Sequence, residues 1–299
     1  MITVLGSINM DLVALTERLP QPGETVAGHA FTVAPGGKGA NQALAARRAG
    51  SVVRMVGAVG DDQFAASALG ILEADGVDLS ATRRIGHQTG TAVIFVSSDG
   101  ENMIAVVPGA NAAVSVSQAL EAVNAMTAGD TLMLQLEIPA QVIEAAIGAA
   151  NRKGVRTVLN TAPLTTEAIQ LAKHVDVLIA NETEFELLMD QAKQTHQSRI
   201  DALRRLYAVS GQTVVVTLGA EGTVAIHQGE IFSFKGLEIA PVDTVGAGDT
   251  FCGYLAASLD QGIPFCEALR RAAIAGSLAC LSSGAQPAIP LRGSVEAKL

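Results

Sequence analysis

The chain has 299 residues, of which 49% are apolar and 3% aromatic, and its formal net charge is −9. A length of this order predicts one large domain or two smaller ones, with enough apolar side chains for a substantial core. The acidic balance argues against nucleic acid as a partner, because nucleic-acid binders normally present a basic surface. No apolar run approaches the ~20 residues of a membrane-spanning helix, so no membrane partner is expected.

Three cysteines, Cys252, Cys266 and Cys280, fall in helical patterns without the close pairs that are typical of metal sites. Their pattern favours packing thiols over ligands or disulfides. The odd cysteine count and the lack of a signal peptide predict a reducing, cytoplasmic location.

Short β-rich runs alternate with helical patterns along most of the chain, which is typical of βαβ units. Core strands are predicted at residues 2–5, 53–56, 131–135, 155–159, 177–180 and 213–217. Helices are predicted at residues 39–49, 63–75, 117–126, 139–153, 166–173, 182–189, 198–209, 248–261 and 264–282, and residues 284–287 are predicted to be a turn-rich loop. Uniformly apolar strands belong to sheets that are covered on both faces. The predicted fold is therefore α/β, with a doubly wound, mostly parallel central sheet flanked by helices.

Two stretches, residues 24–34 and 89–107, break this alternation because they read as strands without an intervening helix. The second stretch turns at residues 98–100 (Ser-Asp-Gly), which is a hairpin signal. Together they predict a small separate sheet formed by about residues 12–34 and 89–110. Such a sheet suits a lid over an active site or a dimerisation surface, and the alternative is a plain extra hairpin at the sheet edge.

The most informative segment is residues 243–251, Asp-Thr-Val-Gly-Ala-Gly-Asp-Thr-Phe, which leads into an apolar helical run. Gly246, Ala247 and Gly248 leave the backbone bare at a helix start, where unpaired N–H groups and the helix dipole favour an anion such as phosphate. Asp249 adds a carboxylate beside that anion site. The pairing indicates phosphoryl transfer, since the amides would hold developing negative charge and the carboxylate would take a proton from an attacking hydroxyl.

A second glycine cluster, residues 36–42 (Gly-Gly-Lys-Gly-Ala-Asn-Gln), follows a strand and opens a helix. It is not a Walker A loop, because Lys38 is followed by glycine, and neither glycine cluster matches the Rossmann fingerprint of dehydrogenases. Its glycines allow a ligand to approach the backbone, and Lys38, Asn41 and Gln42 offer donors suited to a polyol. Taken alone, the cluster is more often a tight strand–helix turn.

Further polar residues follow predicted strands. Asn9 and Asp11 come after the first strand, where open α/β sheets bind ligands, although Asn and Asp also favour simple turns. Residues 181–184 (Asn-Glu-Thr-Glu) are compatible with a helix N-cap or with an acidic site for hydrated Mg²⁺. Other strand ends carry Glu137, as a ligand carboxylate or the start of a loop, and Thr217 and Gly219, as nucleotide contacts or a plain turn.

Together and in this order, the motifs resemble those of the ribokinase-like carbohydrate kinases over nearly the whole chain. Residues 36–42 are similar to the family's sugar-binding signature, and residues 243–251 to its second signature with the anion hole and the catalytic aspartate. The resemblance implies a single kinase domain over residues 1–299 that transfers the γ-phosphoryl group of ATP to the 5-hydroxyl of D-ribose. It also implies that the small sheet is a lid that pairs two subunits into a homodimer.

The resemblance implies a role for each matching residue. Asp249 would be the catalytic base, beside an anion hole formed by Gly246, Ala247 and Gly248. The sugar would be held by Asn9, Asp11, Gly37, Lys38, Asn41, Glu137 and Asp249. ATP would be contacted by Asn181, Thr217, Gly219 and Gly248, with Mg²⁺ organised through water by Asn181 and Glu184. A monovalent cation, K⁺, would be held by Asp243 and the backbone of Val245, Ala279 and Gly284.

Three positions depart from the family pattern. Ala288 stands where a serine hydroxyl often helps to bind the cation, so water would have to supply that ligand. Ala273 replaces larger residues near the adenine, and Thr161 replaces a proline, an exchange expected to affect only a loop. The rival acceptors on this fold are 2-deoxyribose, fructose and nucleosides such as adenosine, and the rival of another class is a sugar sensor that has lost catalysis.

Overall fold

The computed structural model describes residues 1–165 and 168–299, in which strands and helices alternate along the chain. The strands are β1 (Ile2–Leu5), β2 (Asn9–Thr16), β3 (Gly28–Gly36), β4 (Val53–Gly60), β5 (Thr82–Ile85), β6 (Gly90–Ser97), β7 (Asn102–Val107), β8 (Thr131–Leu134), β9 (Arg156–Asn160), β10 (Val177–Asn181), β11 (Thr213–Thr217), β12 (Thr223–His227) and β13 (Glu230–Phe234). The helices are α1 (Lys38–Arg48), α2 (Phe64–Ala74), α3 (Val116–Asn124), α4 (Ala140–Lys153), α5 (Ala168–Leu171), α6 (Glu182–Leu188), α7 (His196–Ser210), α8 (Ala247–Asp260), α9 (Phe265–Ala279), α10 (Ala285–Ala288) and α11 (Arg292–Glu296).

Nine strands form the central sheet, in the order β13-β12-β11-β10-β9-β8-β1-β4-β5. The seven strands from β11 to β5 run parallel to one another, and β12 and β13 add an antiparallel edge. β1 lies in the interior, with Ile2 opposite Val53 on β4 and Thr131 on β8. The doubly wound, mostly parallel sheet that the sequence predicts is confirmed.

Helices cover both faces of this sheet, and each face has its own apolar core. Successive side chains of a strand point to opposite faces. On β11, Val215 therefore packs into the core shared with α1, α8 and α9, whereas Val214 and Val216 pack into the core shared with α3, α4 and α7. Across the described ranges, no helix is both long and apolar enough to cross a membrane.

A separate four-stranded sheet has the order β3-β2-β6-β7. The hairpin predicted at residues 89–107 is confirmed as β6 and β7, which pair antiparallel. Its first strand in the chain, β2, begins at Asn9, where a simple turn was one of the two alternatives. One face of this sheet is uncovered in the single chain, because Phe31, Val33, Met103 and Val107 are exposed and the strand register places all four on that face.

Several short elements were not predicted. β12 and β13 form a hairpin whose two connecting residues, Gln228 and Gly229, have φ values of 52° and 84°. That two-residue turn matches the twist of the strands, but its sequence lacks the Asn-Gly or Asp-Gly signal. β5 was also missed, and the loop predicted at residues 284–287 is wrong because α10 occupies it. In the predicted helix at 166–173, residues 166 and 167 lie outside the described residues, and α5 and a 3-10 turn at Ala172–His174 form the remainder.

Candidate active site

The parallel strands bring the predicted polar residues to one edge of the central sheet. From β1 the central sheet extends through β4 and β5 on one side and, later in the chain, from β8 to β13 on the other side, so the winding of the sheet reverses at β1. Ligands of open α/β sheets bind beyond the carboxyl ends of the strands at such a reversal. Four of the predicted residues follow or end strands at this edge: Asn9 after β1, Glu137 after β8, Asn181 on β10 and Thr217 on β11.

Asp249 lies in the first turn of α8, where only 8% of the residue is exposed. The helix is capped by Gly246 in a left-handed conformation (φ 77°), and a Cβ there would lie 2.9 Å from Cα of Ala285. A Cβ at Gly248 would meet no atom within 4 Å, so the helix start is open on that side. The first-turn N–H groups and the helix dipole therefore favour an anion beside a buried carboxylate.

Each carboxylate oxygen of Asp249 accepts a hydrogen bond from an amide on α1. Asn41 Nδ2 donates to Oδ2, and Gln42 Nε2 donates to Oδ1, both at 2.9 Å. Asn41 Oδ1 is buried and has no partner among the described residues, which leaves an acceptor for a sugar hydroxyl. Gln42 is fully buried, so the suggestion that it contacts a polyol is wrong.

The residues that hold Gln42 were missed in the sequence. Gln135 follows β8, is fully buried, and donates its Nε2 to Gln42 Oε1 at 2.7 Å. Asn160, the last residue of β9, places its Oδ1 3.1 Å from Gln42 Nε2. Because Gln135 engages the oxygen of Gln42, the amide nitrogen of Gln42 must face Asp249. Amide residues at successive strand ends are the sequence signal that would have found this group.

Charged side chains gather beside Asp249. Burial, together with the carboxylates of Glu137 and Asp249, raises the pKa of Asp11 to about 6 against the opposing effect of Lys38. Burial lowers the pKa of Lys38, but the carboxylates of Asp249, Glu137 and Glu184 outweigh it and the net pKa is raised. Glu137 Oε2 accepts hydrogen bonds from Ser7 Oγ at 2.5 Å and from the Lys38 backbone N–H at 3.3 Å. Acceptors around one ammonium group suit a ligand rich in hydroxyls.

Asn9 lies at the junction of the two sheets and is 3% exposed. Gly37 packs against Asn9 and has a φ of 91°. No side chain fits at position 37, since a Cβ there would lie 2.6 Å from the Asn9 backbone nitrogen. The Oδ1 atom of Asn9 accepts a hydrogen bond of 2.7 Å from Nδ2 of Asn111, a residue that was not predicted as part of the site.

Asn181 and Glu184 form the N-cap that was one of the two alternatives for this segment. Asn181 Oδ1 accepts from the Glu184 N–H at 2.8 Å, and Glu184 Oε2 accepts from the Asn181 N–H at 2.9 Å. Glu184 also lines a cavity of about 170 Å³ together with Lys38 and Asp249. Thr161 Oγ1 lies 3.2 Å from Glu184 Oε2, so the expectation that this threonine affects only a loop is wrong.

The first cavity adjoins a more apolar one of about 420 Å³. Thr217 and Gly248 line both cavities, so the start of α8 lies between them. The second cavity is lined by Gly219, Leu237, Ile239, Phe251 and Ala273, among others. Its apolar walls suit the ring of a nucleotide base, and the small Ala273 leaves room there. A larger cavity of about 690 Å³ lies at the opposite edge of the sheet and contains none of the predicted residues.

The side chains at the expected K⁺ and Mg²⁺ sites can be compared with what each cation needs. Asp243 accepts from the Val245 N–H at 3.0 Å and from the Gly284 N–H at 2.8 Å, so it ties together the loops that precede α8 and α10. Ala288 is buried and offers no side-chain oxygen. Over residues 1–165 and 168–299, no group of three or more Asp, Glu, His or Cys could hold a metal ion. Protein carboxylates would therefore supply only part of a Mg²⁺ shell, which is how Mg²⁺ is held beside phosphates.

A buried carboxylate, an anion-binding helix start and an adjoining apolar slot are the parts of a small-molecule phosphotransferase. The chain belongs to the pfkB family of carbohydrate kinases, whose family description matches residues 1–292. It is 36% identical to the ribokinase of Bacillus subtilis over 99% of this chain and 98% of that protein. It is 31% identical to a deoxyribokinase of Salmonella typhi over 97% of this chain and 95% of that protein.

Solved structures agree with this family assignment. The Arabidopsis thaliana ribokinase complexed with ribose and ATP superposes with a TM-score of 0.88 at 32% identity, covering 99% of this chain and 97% of that one. The Thermotoga maritima ribokinase gives a TM-score of 0.87 at 30% identity, covering 99% and 98%. The protein is therefore a kinase of the carbohydrate-kinase family, and the resemblance found in the sequence is confirmed.

Proposed function

We propose that this protein transfers the γ-phosphoryl group of ATP to the 5-hydroxyl of D-ribose. The observation that carries the proposal is the Asp249 carboxylate, which is held by two amides at the open start of α8 and faces the cavity that also contains Lys38. Relatives named ribokinase at 35–36% identity, and a ribokinase structure complexed with ribose and ATP, support the choice of sugar.

In this proposal Asp249 accepts the proton of the 5-hydroxyl as the hydroxyl oxygen attacks the γ-phosphorus of ATP. The bond from that phosphorus to the β,γ-bridging oxygen breaks, and ADP leaves. The amides of Gly246, Ala247 and Gly248 face the charge that spreads over the transferred group. The other sugar hydroxyls bind Asn9, Asp11, Lys38, Asn41 and Glu137, next to the backbone of Gly37. The adenine occupies the 420 Å³ cavity, with Thr217 and Gly219 beside it.

Two cations complete the proposed site. Mg²⁺ would neutralise phosphate charge, and Glu184 and Asn181 would hold its water ligands. K⁺ would lie beside the anion hole, held by Asp243 and the backbone of Val245, Ala279 and Gly284, the loops that the Asp243 carboxylate joins. Replacing K⁺ by Na⁺ or by a large organic cation tests this site, and equal turnover in all three would remove it from the proposal.

We also propose a cytoplasmic homodimer that forms through the lid. Phe31, Val33, Met103 and Val107 lie on the uncovered face of the small sheet and are 64%, 44%, 49% and 48% exposed. Monomeric soluble proteins rarely leave a continuous apolar face of this kind in water, and a second copy would cover it.

An ADP-release assay with a panel of pentoses, hexoses and nucleosides tests the function. D-ribose should give the highest kcat/KM, and ³¹P–¹H coupling in the product should place the phosphate on O5. Formation of ADP with another acceptor only would refute the ribose assignment. No ADP with any acceptor would indicate a sugar-binding protein without catalysis.

2-Deoxyribose is the second candidate acceptor, because a deoxyribokinase is 31% identical over 291 residues. The two sugars differ by one hydroxyl. If a buried polar group of the site binds that hydroxyl, its absence leaves the group unpaired, and discrimination should be large. A ratio of kcat/KM values near one for the two sugars would show that no buried group binds the 2-hydroxyl.

A further inference from the structure

We infer that Asn111 is a positioning residue that fixes Asn9 as a hydrogen-bond donor to the sugar. The inference rests on the proposed function, because it concerns the polarity of the same sugar site. Asn111 lies in a 3-10 turn at Gly109–Ala113, just after the lid strand β7, and is 1% exposed. Its side chain therefore connects the end of the lid to the start of β2.

Three hydrogen bonds define the orientation of the Asn111 amide. Its Oδ1 accepts from the Ile8 backbone N–H at 2.9 Å, and its Nδ2 donates to the Ile8 carbonyl oxygen at 3.1 Å. One side chain thus pairs with both backbone groups of a single residue, as a neighbouring strand would. A 180° rotation of the amide would place donor against donor and acceptor against acceptor, so only one orientation is compatible with Ile8.

The second N–H of Asn111 Nδ2 then determines the orientation of Asn9. It donates to Asn9 Oδ1 at 2.7 Å. If Asn9 were rotated, its own NH₂ would face the NH₂ of Asn111 inside a site from which water is almost excluded, at the cost of an unpaired buried donor. Asn9 must therefore direct its oxygen toward Asn111, and its Nδ2 remains for a ligand.

Gly90 supports the same pair from the lid. It is the β6 residue opposite Asn9, and a Cβ added to it would collide with both Asn111 Nδ2 and Asn9 Oδ1. Only a glycine leaves room for the amide–amide hydrogen bond at this point. The lid strand, the turn after the lid and the first residue of β2 are thus joined through one buried contact.

The consequence for specificity is a fixed donor, the Asn9 N–H, near the carboxylate acceptor of Asp11. Asn9 offers an N–H, and two residues later on the same face of β2, Asp11 offers a carboxylate. A hydroxyl group can accept from the first and donate to the second, whereas a carbonyl, an ether oxygen or a hydrogen in its place satisfies at most one of them. The pair therefore selects a sugar with hydroxyl groups at the positions that face β2.

The test is a double-mutant cycle on the sugar that the wild-type enzyme phosphorylates best. Asn111→Asp keeps the acceptor for the Ile8 N–H and removes both donated hydrogen bonds, so Asn9 is free to rotate its oxygen toward the sugar. We expect the sugar KM to rise about 10-fold or more, as when a buried partner is left unpaired, with the ATP KM within about twofold of wild type. In an Asn9→Ala background, the same substitution should change the sugar KM by less than about twofold, because residues that act through one another are not additive.

Two matched controls separate positioning from loss of structure. Gln212→Glu changes another buried amide that donates to two carbonyl oxygens, those of Ala172 and Val175, at the opposite edge of the sheet. Gly90→Ala should raise the sugar KM, whereas Gly86→Ala, where a Cβ meets nothing within 4 Å, should not. The two controls, Gln212→Glu and Gly86→Ala, should keep the wild-type KM values.

An unchanged sugar KM in Asn111→Asp would overturn the inference, as would an equal rise in the Asn9→Ala background. The proposed function fails separately, if wild-type enzyme does not prefer D-ribose. If no acceptor supports turnover, calorimetric binding of D-ribose to the same variants replaces KM, and a wild-type affinity in Asn111→Asp would again overturn the inference.

Discussion

Asp249→Asn is the substitution that most directly tests the chemistry of the site. Asparagine has the shape of the aspartate but cannot take a proton from the attacking hydroxyl. We expect kcat to fall by roughly 10²–10⁴, the usual share of a general base, which corresponds to about 3–5 kcal/mol of transition-state stabilisation.

The structure predicts a much smaller effect on stability. Asparagine at position 249 would place its NH₂ group against one of the two groups that donate to the carboxylate, Asn41 Nδ2 or Gln42 Nε2. Gln42 cannot rotate, because Gln135 holds its oxygen, but Asn41 can, because its Oδ1 has no partner among the described residues. After that rotation both contacts are hydrogen bonds again, so the free energy of unfolding should fall by only about 1 kcal/mol. For a chain of this size, Tm should fall by no more than about 4 °C.

Coupled ADP release at saturating ribose and ATP measures kcat, and calorimetry or circular dichroism measures Tm. Asp176→Asn is the matched control, since that carboxylate also accepts two hydrogen bonds, from Thr157 N and Oγ1 at 2.7 and 2.8 Å, at the opposite edge of the sheet. Its kcat should equal that of wild type. Near-normal turnover in Asp249→Asn would refute the role of the base. A fall in Tm above about 10 °C would refute the rotation of Asn41.

Three further results are expected. Because the pKa of Asp11 is raised to about 6, lowering the pH from 7 to 5 protonates the sugar acceptor, so the ribose Kd measured by calorimetry should rise, approaching about tenfold per pH unit below 6. The same shift means that ionising Asp11 lowers the free energy of unfolding as pH rises through 6. The stability of Asp11→Asn should therefore lose this pH dependence and be at least equal to that of wild type at pH 7. A pH-independent ribose Kd in wild type would refute the role of Asp11. Thr161→Val removes the hydroxyl next to Glu184 and should raise the Mg²⁺ concentration for half-maximal activity about two- to tenfold, whereas an unchanged requirement would show that the contact does not serve the metal. Met103→Asp, on the exposed face of the small sheet, should convert a dimer to a monomer in sedimentation velocity, and a wild-type protein that is already monomeric would end the dimer proposal.

The sequence alone determined the layered α/β fold and the kinase family. Apolar strands alternating with helices require a sheet covered on both faces, since each strand must bury both of its sides. The bare backbone of residues 246–248 next to Asp249, and the glycines before Lys38, carry their chemistry in local sequence, because a helix start binds anions wherever the fold places it. These local signals were strong enough to identify a kinase family before any coordinates.

Only the tertiary structure decided which polar side chains form hydrogen bonds with one another. In the sequence, Gln42 was interpreted as a donor suited to a polyol, and Asn111 was not singled out. Burial places each of them against another amide, and their hydrogen bonds connect residues about 100 or more positions apart. Thr161 likewise reaches Glu184 only because β9 and β10 lie side by side. Long-range contacts of single polar atoms leave no periodic pattern in a sequence. The residues that we propose as ligand contacts therefore carry signals in local sequence, whereas the residues that orient them became visible only in the folded chain.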